Sequence, residues 1–178
     1  MPWKGHATAL DALQQLNNPA VRLVIVGDGE TRAALEQTAQ ALGIEDQVVF
    51  TGTIGHHLMP QYVAAADVVL GTSFASETFG MALAEAQACA RPVLASSWQG
   101  YDDVVDDQVT GRRFSAADPA SLAAVLGELL NDPAQRDRLS AAGHDHVGHN
   151  FTWQQIAARI ESGYATLPNY ERSGPREH

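Results

Sequence analysis

Glu77 and Glu85 are the residues of this 178-residue sequence whose type and spacing best suggest chemistry. They flank Thr78-Phe79-Gly80-Met81-Ala82-Leu83-Ala84, in which a glycine stands where a helix should begin. A helix starting near Phe79 would leave Glu77 in the preceding loop and carry Glu85 about 9 Å further along the axis, at 1.5 Å per residue. The Glu85 side chain would lean back toward the helix start. Free N–H groups of Phe79, Gly80 and Met81 would then lie between two carboxylates. An unpaired helix end favours an anion through its dipole and its donors, and a glycine lets that anion approach closely. Carboxylates accept well from vicinal sugar hydroxyls. The spacing therefore suits a nucleoside diphosphate with a hydroxyl-bearing ring at each end. On spacing alone, both glutamates could equally be solvated residues at a helix start, where acid is favoured anyway.

The elements that would position this pair alternate along the chain. Ala7, Leu10, Leu13 and Leu16 repeat at helical spacing until Asn17-Asn18-Pro19. Residues 22–26 read as a buried strand closed by Gly27-Asp28-Gly29. Leu35, Ala39 and Leu42 mark a helix capped by Gly43, and Val48-Val49-Phe50 a second strand ending at Gly52. A helix over about 58–66, a strand over 67–70, a helix over 79–90 and a strand over 92–95 follow. Asp118 and Pro119 open an amphipathic helix through Leu122, Leu126 and Leu129. Another begins near Asp132-Pro133, and a last one runs from about Trp153 to Tyr164. Short apolar strands between helices imply an α/β fold, a Rossmann-like parallel sheet with both faces covered. In such sheets ligands sit beyond the carboxyl ends of the strands. One domain over 1–167 and a polar tail over 168–178, expected to fray, is the economical division.

Bulk properties narrow the function. Hydrophobic residues make up 45% and charged residues 18%, which fits a globular chain. The net charge of −10 disfavours nucleic-acid backbones and anionic membrane surfaces. No apolar run reaches the length of a transmembrane span, and the first residues do not read as a secretory signal. Cys89 stands alone, so a reducing, cytoplasmic location and a buried, unreactive thiol are expected.

The stretch from Ser73 to Ala86 resembles the E-x7-E motif of retaining glycosyltransferases with the two-domain GT-B fold, especially family 4. Further segments fall in the order of that family: Trp3-Lys4-Gly5, Val24 to Glu30, Phe50-x-Gly52, Ala64-Ala-Ala-Asp67, Arg91-Pro-Val93, Thr110-Gly111 and Phe151-x-Trp153. Trp98-Gln-Gly100-Tyr101 resembles a variant found in part of it. The resemblance implies the C-terminal, donor-binding half of the fold. It also implies hexose transfer from a UDP-, GDP- or ADP-sugar with retention, and no metal or other cofactor, in keeping with the lack of an Asp-x-Asp motif. By position, Glu77 would hold the donor sugar and Glu85 the ribose. Lys4, with the amides near Thr78, Phe79, Gly80 and Met81, would neutralise the leaving diphosphate. Gly27 and Asp28 would line the cleft, and Thr51, Gly52 and Ile54 would lie near the base.

Two departures from the family pattern shape the expectation. The family supplies a strand and a Gly-Arg pair before the Lys-Gly element, and the sequence starts too late for either. That strand would be central, so an unpaired edge is expected. The N-terminal acceptor domain would have to come from the full-length protein or another chain, any peripheral membrane attachment would run through it, and this chain alone is expected to be inactive. Ala90 stands where a glycine usually ends the helix, at some cost if that position is left-handed. A nucleotide-sugar epimerase of related architecture and a non-catalytic binding or assembly module stay open as alternatives. The pair Arg112-Arg113 reads as surface, and His144, His146 and His149 as a solvated face, since i and i+2 point apart on a helix. Trp98 and Tyr101 fit either the core or the cleft.

Overall fold

The computed structural model describes residues 1–166, and the tail expected over 168–178 lies outside them. After a 3₁₀ turn over Pro2–Lys4, the chain forms α1 (His6–Leu16), β1 (Leu23–Val26), α2 (Arg32–Ala41), β2 (Val48–Gly52), α3 (Met59–Ala65), β3 (Val69–Gly71), α4 (Met81–Ala88), β4 (Val93–Ser96), β5 (Arg112–Phe114), α5 (Pro119–Asn131), α6 (Pro133–Asn150) and α7 (Trp153–Ala165). Every strand pair is parallel. The expected single sheet is divided, however: β1 pairs with β2, and β3-β4-β5 form a separate ladder. No ladder joins β1 to β3 among the described residues, so each presents an unpaired edge at the break.

Helix α1 holds the two ladders together. Its Leu10 and Leu13 pack with Ile25, Leu35, Ala39 and Val48 over the β1–β2 pair. Its Ala9 and Ala12 join Leu94, Phe114, Leu122, Leu126 and Leu129 over the larger sheet. Leucines on one side and alanines on the other let α1 sit deep against α5, where a Cβ on Gly127 would lie 3.3 Å from Leu16 Cδ1. On the opposite face of the larger sheet, Leu83 and Ala86 of α4 pack with Val93, Ala95, Tyr101, Val104 and Val105. Coverage is incomplete for the smaller ladder. Val24 and Val49 are cross-strand neighbours, and they stay 47% and 46% exposed. The expectation that both faces are covered therefore fails there.

Local signals decide the helix ends. Asp118 accepts from Ala120 N and Ser121 N at the start of α5, and Asp132 from Gln135 N at the start of α6. Gly43, at φ 68°, follows α2 as foreseen. Ala90, at φ 51°, does take the left-handed conformation. Ala90 N bonds Gln87 O, and Arg91 N bonds Ala86 O. These two bonds close the reverse turn that usually demands glycine. Cys89, a free thiol, is half-buried beside it rather than fully enclosed.

Two readings are corrected. Helix α4 begins at Met81 and not at Phe79, because Gly80 caps it in a left-handed conformation. Arg112 and Arg113 belong to β5, with side chains only 14% and 20% exposed, and they pair with Glu128 and Asp102. A three-residue strand with two cations carries no apolar signal, so the sequence pattern hid it. The α6 histidines keep the expected solvated face, with His144 and His149 exposed and His146 half-buried, though each ring also finds a partner. His144 Nδ1 meets Ala88 O and His146 Nε2 meets Asp103 O, each at 3.0 Å, while His149 bonds within its own helix.

Candidate functional site

The carboxyl end of β3 runs into Thr72 and Ser73, and there the chain's first residues return to meet it. Phe74 N donates to Trp3 O, and Thr72 Oγ1 donates to Lys4 O. Gly5 makes this approach possible. A Cβ at Gly5, whose φ is 72°, would stand 2.0 Å from Thr72 O. Lys4 is thereby carried to the sheet edge. Its Nζ lies 2.8 Å from Glu77 Oε2 and 4.6 Å from the centre of the Trp3 ring.

Glu77 sits in the loop before α4. Its other oxygen, Oε1, accepts from Gly80 N at 3.2 Å. Burial pushes this carboxyl up. The Lys4 hydrogen bond and charge, with the N–H groups of Gly80 and Thr78, outweigh burial and hold it below the usual carboxylate range. The N–H groups expected to be free at Phe79, Gly80 and Met81 are therefore redistributed, since that of Gly80 is taken by Glu77. No side chain caps α4, and its first backbone bonds run from Leu83 N and Ala84 N to Gly80 O. Met81 and Ala82 keep the unpaired donors that every helix start carries. Both are exposed, Met81 by 60%.

Glu85 lies one turn on from Met81 and so shares its face. It is half-buried, and no hydrogen bond or ion pair engages its carboxylate among the described residues. Thr78 is exposed and Phe79 half-buried. The Phe79 ring packs edge-on against Phe151, with centroids 5.0 Å apart, so it belongs to the helix packing.

The second group of expected residues gathers at the carboxyl ends of β1 and β2. Gly27 N donates to Gly52 O at 3.0 Å. Asp28 accepts from Gly29 N and pairs with Arg32 at 3.5 Å. Thr51 Oγ1 donates to Gly52 O, and Ile54 is half-buried just beyond. No hydrogen bond or ion pair among the described residues links this group to Lys4, Glu77 and Gly80. They share the strand-end edge without a direct polar link. A separate hollow lined by Asp67, Arg91, Arg136 and Asp137 opens at the amino ends of β3 and β4, on the opposite edge.

One arginine, Arg32, escaped the sequence reading, and another, Arg113, was read only as surface. Arg32 bonds Glu36 and Asp28, lies over the Phe50 ring at 5.9 Å, and approaches within 3.3 Å of a Cβ placed on Gly52. The i, i+4 spacing of Asp28, Arg32 and Glu36 was the available signal. Arg113 left none. Trp98 and Tyr101, open between core and cleft, resolve into packing roles. Tyr101 is 3% exposed; burial, foremost, raises its hydroxyl pKa, against a hydrogen bond with Ser73.

A lysine beside a helix start can hold an anion, and the acids before and within that helix can accept from hydroxyls. A family model described as glycosyl transferases group 1 matches residues 1–146. The chain belongs to that family. It is 37% identical over 166 residues to the D-inositol 3-phosphate glycosyltransferase of Xylanimonas cellulosilytica, covering 91% of this chain and 39% of the relative. The structure of Anabaena Alr3699/HepE in complex with UDP-glucose aligns with a TM-score of 0.85 and 30% identity, over 94% of this chain and 46% of that one. The C-terminal domain of a group 1 family protein, LpcC, from Francisella tularensis shares the fold at a TM-score of 0.74 and 22% identity, over 86% of this chain and 83% of that one. The chain thus spans less than half the length of its full-length relatives and has the fold of a GT-B C-terminal half. No described helix is long and apolar enough to cross a membrane.

Proposed function

We propose that this glycosyltransferase-family chain binds a nucleoside-diphosphate sugar across the start of α4 and serves as the donor-binding half of a retaining hexosyltransferase. The observation that carries the reading is the Lys4–Glu77 pair at 2.8 Å, set against a helix start with unfilled donors. Lys4 Nζ and the amides of Met81 and Ala82 supply positive potential for the diphosphate, joined by Gly80 N once Glu77 turns away. Glu77, released from Lys4, accepts from hydroxyls of the donor hexose. Glu85, half-buried and with no partner for its carboxylate among the described residues, accepts from the ribose. Gly27, Asp28, Thr51, Gly52 and Ile54 line the far side toward the base, with no metal or other cofactor required.

In this reading the chemistry is electrostatic. As the bond between anomeric carbon and phosphate breaks, charge accumulates on the diphosphate. Donors already aimed there stabilise it without reorganising. The acceptor would be held by the other half of the enzyme, on the same face of the sugar that the diphosphate leaves, so the chain alone would bind donor without transferring it. UDP-glucose in the Alr3699/HepE structure supports a nucleotide-sugar ligand for this family member.

Calorimetric titration with UDP-glucose, GDP-mannose and ADP-glucose tests the reading. Saturable one-to-one binding of one donor supports it. No heat with any of the three, from a folded chain, would reject it in favour of a purely structural module.

A further inference from the structure

We infer that the loop after β4 positions Glu77 from behind, with Trp98 and Arg113 as positioning residues for the donor site that touch no ligand. The inference rests on the donor-binding reading and adds what holds its key carboxylate in place. Glu77 needs such support. It lies in a segment without regular structure, next to Ser76 at φ 56°. Its side-chain bonds to Lys4 and to Gly80 N are ones a ligand would exchange.

Its backbone has one local bond, Glu77 N to Ala75 O at 2.8 Å, and one distant anchor. The Trp98 indole Nε1–H donates to Glu77 O at 2.8 Å across 21 residues. Gly100 closes the contact, since a Cβ there would lie 1.9 Å from Glu77 O. Tyr101 holds the far end of the segment, where a Cβ on Gly80 would lie 2.6 Å from its ring. Residues 98, 100 and 101 therefore grip the segment at two points, and any shift of that loop moves Glu77.

Arg113 holds the loop itself. From β5 its guanidinium donates to Ser96 O at 3.3 Å and Trp98 O at 2.9 Å and pairs with Asp102 at 2.6 Å. The planar fork thus ties the end of β4 to Trp98 and Asp102 in the first half of the loop. A lysine carries the same charge but cannot reach three acceptors in that fixed geometry. A continuous path runs from Arg113 to the Trp98 carbonyl, through the indole, to the Glu77 peptide and its carboxylate.

Trp98→Phe, which keeps an aromatic ring and removes the N–H, tests the inference, with Arg113→Lys as a second variant should the first not fold. Two readouts separate positioning from simple stability. The first is the titration of the Glu77 side-chain carboxyl by ¹³C NMR. Loss of the anchor should loosen the Lys4 bond and move the midpoint up toward that of an ordinary glutamate. The second is calorimetry with UDP and UDP-glucose: the preference for the sugar-bearing ligand should fall about fivefold, the effect of one misplaced hydrogen bond, while UDP affinity holds or rises by less than that. An unchanged Glu77 titration in a folded variant overturns the inference. If wild-type protein binds neither ligand, the donor reading fails, and the NMR titration still decides whether Trp98 positions Glu77.

Discussion

Glu77→Gln should affect UDP and UDP-sugar binding differently. In the structure the Glu77 carboxylate occupies two of the groups proposed to hold the diphosphate, Lys4 Nζ and Gly80 N. An incoming diphosphate has to displace it from both. A Coulomb estimate at 2.8 Å would be large in a dry interior. Lys4 is 39% exposed, however, and Glu77 19%. Solvent screening brings such a pair to about 1 kcal/mol at most. Removing the charge while keeping the size should therefore tighten UDP by up to about fivefold. The sugar hydroxyls lose a charged acceptor and keep a neutral one, a difference of about 1 kcal/mol per bond. The ratio of UDP-glucose to UDP affinity should then fall by about five- to tenfold. Paired calorimetric titrations at fixed salt measure both numbers. UDP binding that weakens in Glu77→Gln would show that the carboxylate does not compete for the diphosphate groups, and the reasoning would fail.

Other outcomes follow from the same geometry. Glu85→Ala removes a carboxylate with no protein partner among the described residues, so thermal stability should hold. Nucleotide affinity should drop by about tenfold or more, the range for losing charged hydrogen bonds to ribose; unchanged affinity would remove Glu85 from the site. Ala90→Gly relieves a left-handed residue at φ 51° and should raise unfolding free energy by about 0.5–1 kcal/mol in urea denaturation. The pH dependence has a defined sign. Burial, then the charges of the N-terminal amine and Lys4, depress the His6 pKa, so the folded chain binds that proton less readily than the unfolded one. Stability from His6 is fully present above about pH 6.5 and is lost as pH falls from there through the folded value. Glu77, also depressed, contributes above about pH 4.3 and loses its contribution at lower pH. Thermal unfolding from pH 8 to pH 3 should show both losses, the first absent in His6→Asn and the second absent in Glu77→Gln.

Much of this architecture was readable because it rests on local chemistry. Asp118-Pro119, Asp132-Pro133, Gly43 and Asn17 are signals whose geometry is set within a few residues, and each terminates or starts a helix where expected. The Glu77 and Glu85 spacing was readable for the same reason. What stayed hidden depends on neighbours far along the chain. Nothing near position 4 indicates that Lys4 meets a carboxylate 73 residues later, nor that Gly80 is turned left-handed and delays α4 by two residues. The resemblance suggested a missing central strand, but the division into two ladders is a pairing property that no single segment encodes. β5 is three residues long and carries two arginines, so its assignment comes only from the ladder with β4. Arg113 could not be linked to Trp98 without that strand.

The central claim is that the start of α4 receives the diphosphate, and amide NMR of the ¹⁵N-labelled chain titrated with UDP tests it most directly. Met81 and Ala82 N–H resonances should move downfield and saturate together with the Lys4 side-chain signal, as expected for donors gaining an anionic acceptor. Saturable UDP binding that leaves Met81, Ala82 and Lys4 unmoved, with the shifts confined to another part of the surface, would contradict the account.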